Sequence, residues 1–220
     1  MIDIEASIAE LRDIWGQGPG IHKRPPDLAR YEALIERVRP RVIVETGLYY
    51  GQSAVWFAER VPHVINVEIN RETTADYLEN RHGLSWPPPN ASIVLGDSCA
   101  VFPRVKELTE QLAEGGPVMV VLDSNHDTET VYNEAMAYCD LVTVGSYLVV
   151  EDGLLHFLPQ NPGGSFQGAN TPHNWFVGDP WLATADFLIT EQGRRFACAG
   201  EIEDMFPTTQ HVDGWLRRVS

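Results

Sequence analysis

The sequence has no apolar run near the roughly 18 residues that a membrane-spanning helix needs. Its N-terminal stretch, MIDIEASIAELRDIW, carries acids where a secretory leader has a basic region and an unbroken apolar core. A cytoplasmic protein with no membrane partner is expected. Positive charge is scarce: 16 Lys and Arg stand against 31 Asp and Glu, a formal charge of -15. A phosphate backbone would meet net repulsion, which argues against nucleic acid as a partner. Only three cysteines occur, Cys99, Cys139 and Cys198, without CxxC or zinc-ribbon spacing. Free thiols packed as small hydrophobes in a reducing compartment are the expectation. Neither GxGxxG nor a GxxxxGK[ST] phosphate loop is present, so nothing specifically indicates a dinucleotide or ATP.

What is present is a repeating alternation. Apolar runs at 41–47, 63–70, 91–98, 117–124 and 141–152 predict strands, and helical patterns lie between most of them. Near-continuous apolar strands separated by helices predict a parallel α/β sheet covered on both faces. A chain of 220 residues suits one domain. It would open with a helical segment over 1–38, joined internally by the Gly/Pro-rich GQGPGIHKRPPD, and Asp27 would cap the second helix. Residues 159–179, rich in glycine, proline and aromatics, predict a long lid or loop, with Phe166, His173, Trp175 and Trp181 as candidate lid residues. Asp179 and Pro180 then supply a cap and a first helical position, with Leu182, Ala185, Leu188 and Ile189 as the apolar face. The tail would add the last strands or a hairpin at the sheet edge.

The ionisable residues gather at the ends of the predicted strands. Glu45, Glu68, Asp97, Asp123, Glu151 and Asp152 all fall at C-terminal ends, which share one edge in an open α/β sheet, where ligands bind. Gly47 and Gly51 permit tight turns and close approach of backbone to a ligand, and a helix starting near Ser53 would face an anion. Glu68, about 20 residues beyond that turn, is placed to accept ribose hydroxyls. With no phosphate loop beside it, an unphosphorylated nucleoside is expected. Asp97, with Ser98 beside it, would accept from an adenine amine or cap the next helix.

Asp123, Glu151 and Asp152 would repel one another in a cleft unless a hard cation compensated them, and an oxygen-only set favours Mg²⁺. His126 would be a softer ligand, a catalytic base or a local hydrogen-bonding residue of the capping turn, in which Ser124 and Asp127 form a capping pair.

The segments DLARYEALI, VIVETGLYYGQSAVWFA, GDS, VMVVLDSNHDTETV, VGSYLVVED and DGWLRRV resemble, in order, the cephalosporin hydroxylase and rhamnosyl O-methyltransferase family across about residues 15–218. The resemblance implies a Rossmann-like class I methyltransferase sheet, mostly parallel, of about seven strands with helices on both faces. It implies S-adenosylmethionine bound through Glu45, Gly47, Gly51, Ser53, Glu68, Asp97 and Ser98. It implies Mg²⁺ on Asp123, Glu151 and Asp152, with Asp123 and His126 in catalysis. The expected activity is metal-dependent methylation of a hydroxyl on a sugar or natural product, with vicinal oxygens, by a homo-oligomer taken as a dimer. An iron-dependent hydroxylase and a non-catalytic nucleoside-binding subunit are the competing readings. One well-placed histidine among three acids departs from the usual iron set of two histidines and one carboxylate.

Overall fold

Short runs of valine, isoleucine and leucine fold as strands because β-branched side chains pack well on a pleated surface. In the computed structural model, which describes residues 1–15, 23–49, 51–70, 87–158 and 178–220, these are β1 (Val42–Thr46), β2 (His63–Glu68), β3 (Ala91–Leu95), β4 (Val118–Leu122), β5 (Tyr147–Val150), β6 (Phe196–Cys198) and β7 (Trp215–Arg218). They form one seven-stranded sheet in the order β3, β2, β1, β4, β5, β7, β6. Pairing is parallel from β3 through β5. The two C-terminal strands join antiparallel. The strand order turns back between β1 and β4, the switch point at which an open α/β sheet offers a crevice.

Helices cover both faces. They are α1 (Ile4–Trp15), α2 (Pro25–Val38), α3 (Gln52–Ala58), α4 (Ser98–Ala113), α5 (Thr128–Tyr138), α6 (Pro180–Leu188) and α7 (Gly200–Glu203). Successive strand residues point to opposite sides. Val44, Val120 and Leu148 therefore pack with Val105, Val131 and Phe187 on one face. Ile43, Val121 and Val149 pack with Tyr31, Phe57 and Ile202 on the other. Burial on both sides explains why the central strands lack a polar alternation.

Three local expectations are corrected. Asp27 does not cap α2, whose N-cap is Arg24. It is buried inside the first turn, where it accepts from Thr209 Oγ1 at 2.6 Å, Gln210 N at 3.0 Å and Arg30 at 3.0 Å. The buried face of α6 consists of Pro180, Ala183, Thr184 and Phe187, while Leu182 and Ile189 are exposed. The Asp179 cap and Pro180 do start the helix as expected, and its contacts with α5 set the rotation. Of the cysteines, Cys139 is buried, Cys99 is half-buried and Cys198 is exposed on the edge strand. Most of the expected 159–179 lid, including Phe166, His173 and Trp175, lies outside the described residues. Trp181 is described, and it packs beside Leu154 and Val212 while donating to Asp213 at 2.8 Å.

Arg30 clasps α2 to the C-terminal segment. Its guanidinium donates to the carbonyls of Ile202, Glu203, Phe206 and Thr208 at 2.6–3.1 Å as well as to Asp27. Arg30→Leu leaves three buried carbonyls, the part-buried carbonyl of Phe206 and a buried carboxylate short of a donor. The variant is expected to lose about 3–5 kcal/mol of unfolding free energy, measured by urea denaturation, with a loss under about 1 kcal/mol contradicting the role.

Candidate functional site

The C-terminal rim of the sheet is built on close contact between the ends of β1 and β4. Gly47 has φ 79°, and a Cβ there would lie 1.9 Å from the carbonyl oxygen of Asp123. Only glycine permits both the left-handed backbone and the approach. Gly51, with φ 76°, turns the chain into α3. Between them the backbone N–H groups of Leu48 and Tyr49 both donate to Glu68 Oε2 at 3.1 Å, and Asn70 N donates to Oε1 at 2.8 Å. Glu68 thus fixes the loop after β1 to the end of β2. Ile69, 75% exposed, and Leu95, 47% exposed, place apolar surface on the rim beside Glu68 and Asp97. Asp97 caps α4, accepting from Ala100 N at 2.9 Å.

Glu45 is fully buried and held by protein groups. Asn66 donates to its Oε2 at 2.7 Å, the Ser53 hydroxyl also bonds it, and Lys23 Nζ lies 3.4 Å from Oε1. Burial raises its carboxyl to about 7, against the pull of the nearby ammonium. Ser53 therefore braces a buried acid at the start of α3.

The acids at the ends of β4 and β5 separate into two groups. Asp123, His126 and Asp152 converge, with one ligand atom from each lying within 4.8 Å of the others. His126 Nε2 is 3.1 Å from Asp152 Oδ2. Glu151 has other partners: its Oε1 receives Lys23 Nζ and the Tyr31 hydroxyl, each at 2.6 Å, and its Oε2 lies 3.8 Å from His211 Nε2. Glu151 still pairs with β4, its N–H donating to the Leu122 carbonyl at 3.0 Å, whereas the chain turns at Asp152. Asp152 has left-handed backbone, φ 60°, and its N–H donates to His211 Nδ1 at 3.1 Å. The structure thus joins Asp123 and Asp152 of the expected acid trio, adds His126 to them, and gives Glu151 to an ammonium and a phenol.

Lys23 also donates to Asp123 Oδ2 at 2.8 Å. Burial disfavours its charge, yet the carboxylates of Asp123, Glu151 and Glu45 outweigh burial and raise the ammonium well above the usual lysine range. Asp123 is raised by burial and then by the charge of Glu151, with Lys23 opposing both. Burial lowers the pKa of His211, which favours its neutral form. In that form Nδ1 accepts from Asp152 and Nε2–H faces Glu151.

The sequence reading missed Lys23, His211, Tyr31 and Glu134. Lys23 sits inside a Gly/Pro-rich connection, directly before Arg24, where no local pattern singles it out. Glu134, on α5, is buried and accepts from Thr46 Oγ1 at 3.0 Å, Ser124 Oγ at 2.6 Å and the Ser98 side chain. It ties together the ends of β1 and β4 and the start of α4. Ser124 therefore serves Glu134 instead of capping α5, which Asp127 caps alone by accepting from Thr130 N at 2.9 Å.

The family model described as Rhamnosyl O-methyltransferase/CmcI matches residues 14–219. The chain belongs to that family. Among its relatives, the rhamnosyl O-methyltransferase of Mycobacterium bovis is 28% identical over 164 residues, covering 71% of this chain and 65% of that protein. The enzyme of the same name from Mycobacterium leprae is 26% identical over 168 residues, 71% of this chain and 69% of its own length. The match to the Mycobacterium bovis relative thus falls short of two thirds of that protein's length. Among solved structures, CmcI with magnesium and S-adenosylmethionine superposes with a TM-score of 0.60 at 22% identity, over 93% of this chain and 75% of that one. The MycE methyltransferase of the mycinamycin pathway, with magnesium and S-adenosylhomocysteine, gives 0.52 at 15% identity, over 87% of this chain and 51% of that one. These likenesses agree with the sheet order in giving the class I methyltransferase fold.

Glu134→Ala leaves the hydroxyls of Thr46, Ser98 and Ser124 without their shared acceptor. A loss of about 1–3 kcal/mol in urea unfolding is expected, whereas an unchanged midpoint would show that Glu134 does not hold the rim together.

Proposed function

We propose that this protein transfers the methyl group of S-adenosylmethionine to a hydroxyl of a sugar or other natural product, with a divalent cation held at the rim. The observation that carries the reading is the convergence of Asp123, His126 and Asp152 beside the crevice whose loop is braced by Glu68. Membership of a family named for rhamnosyl O-methyltransferase supports it. So does the company of donor and magnesium in the CmcI and MycE structures.

Glu68 would meet the ribose. A carboxylate has about four lone-pair sites, and three N–H groups already engage this one. One lone-pair site of Glu68 would remain for a ribose hydroxyl. The exposed faces of Ile69 and Leu95 would flank the adenine, with Asp97 and Ser98 at its edge. Gly47, Gly51 and the buried Glu45–Ser53 pair would shape the turn against which the methionyl end of the donor lies.

Two carboxylates in reach of one another suit Mg²⁺, which is commonly held by one or two protein carboxylates with water and substrate oxygens completing its shell. Asp123 and Asp152 would hold it, while Glu151 remains engaged by Lys23 and Tyr31. A cation bound there supplies Lewis acidity that lowers the pKa of the acceptor hydroxyl and favours an acceptor with a second oxygen adjacent. His126 would act as general base. With Nε2–H given to Asp152, Nδ1 would be the atom free to take the acceptor's proton, the donor's methyl group passing from its sulfonium sulfur to the acceptor oxygen when both are bound. Asp152 would orient the ring and stabilise the imidazolium. A homodimer acting on a small hydroxylated acceptor completes the reading.

The test is transfer of labelled methyl from the donor to a panel of glycosylated and vicinal-diol acceptors, with and without chelator. Chelation and Asp152→Asn are each expected to lower turnover about 100-fold. His126→Gln should lower kcat by about 10²–10⁴-fold while leaving Mn²⁺ affinity within about threefold of wild type. Undiminished turnover under chelation would remove the cation from the reaction. A loss of Mn²⁺ affinity in His126→Gln equal to that in Asp152→Asn would make the imidazole a ligand instead of the base.

A further inference from the structure

The buried ammonium of Lys23 has no part in the proton and methyl transfers described above, yet it lies at the centre of the acids. Its side chain is 3% exposed, and Nζ lies 2.6 Å from Glu151, 2.8 Å from Asp123 and 3.4 Å from Glu45. Such a set is far more than a lysine needs for its own compensation, because one carboxylate neutralises one ammonium. The excess runs the other way. The acids need the lysine, since several carboxylates cannot remain ionised together in a buried cleft without positive charge among them. Glu45 Oε1 accepts no hydrogen bond, so Lys23 bears on it chiefly through its field.

From this geometry we infer that Lys23 is a built-in cation that occupies part of the acidic rim and weakens the site for a divalent ion. It is a positioning residue that engages Glu151 and one oxygen of Asp123 and keeps the bound cation exchangeable. Two features follow from it. The acids stay folded together when no metal is bound, because the chain carries its own counter-charge. An entering divalent cation meets a cluster already partly neutralised, with one oxygen of Asp123 engaged, and so binds less tightly than the number of acids suggests. Tyr31, donating to Glu151, and His211, facing its other oxygen, complete the enclosure. The charge of Lys23 matters here because Coulomb attraction over 2.6–3.4 Å in a poorly solvated cleft is worth far more than it is in water.

The inference rests on the cation site of the proposed function, and the two fail separately. Methyl transfer by wild-type protein that ignores divalent ions removes that reading. The result for Lys23 is read from binding and unfolding, without turnover. Mn²⁺ serves as the probe at fixed pH near 8, with affinity taken from the electron-spin-resonance signal of free Mn²⁺ and stability from thermal unfolding with and without the ion. Lys23→Met is expected to bind Mn²⁺ at least tenfold more tightly than wild type and to show a larger rise in Tm when the ion is added. Lys23→Arg keeps the charge and is expected to stay within about threefold of wild-type affinity. If Lys23→Met is recovered unfolded, refolding on addition of Mn²⁺ supports the exchange of one cation for another. Failure to refold with Mn²⁺ overturns it. An affinity for Mn²⁺ equal to or weaker than wild type in Lys23→Met, or an equal gain in Lys23→Arg, also overturns it.

Discussion

Parallel strands finish along one edge, and in this protein each of the central strands finishes on or beside a carboxylate. Like charges brought together at the foot of a cleft must be compensated, or they protonate or force the cleft open. The molecule meets that constraint by three different means. Glu68 is satisfied by backbone N–H groups of the loop it anchors. Glu134 is satisfied by hydroxyls from three separate elements. Glu45 and Glu151 lie against the ammonium of Lys23. Each compensation also fixes a piece of chain, so the arrangement that tames the charge is the one that shapes the crevice.

The remaining pair, Asp123 and Asp152, receives the least help from within. Asp123 shares Lys23 with two other acids, and Asp152 faces an imidazole across 3.1 Å. Asp152 is presented there by a strained backbone, φ 60°, which His211 secures through the N–H of the same residue. Left-handed conformation costs a non-glycine residue roughly 1–2 kcal/mol, and it persists because β5 and the C-terminal segment hold both sides. The Arg30 clasp supplies part of that hold by binding α2, which carries Tyr31, to the segment that carries His211.

Local pattern was enough to read the sheet. Valine-rich runs bounded by glycine and acids predicted β1 to β4 at nearly their observed positions, while of the run 141–152 only Tyr147–Val150 is strand, the residues before it forming a 3-10 turn and a loop. Asp179 and Pro180 likewise predicted the start of α6. What escaped was decided by partners far along the chain. Asp27 stands where a cap would stand, but Thr209, Gln210 and Arg30 claim it. Glu151 and Asp152 are adjacent letters with different distant partners, Lys23 and Tyr31 for one, His126 and His211 for the other. Lys23 lies a hundred residues from Asp123. Nothing local marks an ammonium in a Gly/Pro connection as the counter-ion of strands that come later. Glu134 resembled one more acid on a helix until three hydroxyls from other elements converged on it.

The crevice and the acidic rim meet at Asp123 and Asp152, the residues on which the chemistry proposed here depends. A crystal structure with Mn²⁺ and S-adenosylhomocysteine, phased for manganese anomalous scattering, addresses that dependence directly. The account predicts a single strong peak about 2.1 Å from carboxylate oxygens of both residues, with the nucleoside lying against Glu68. A peak elsewhere, or none at saturating Mn²⁺ with the nucleoside in place, would contradict it.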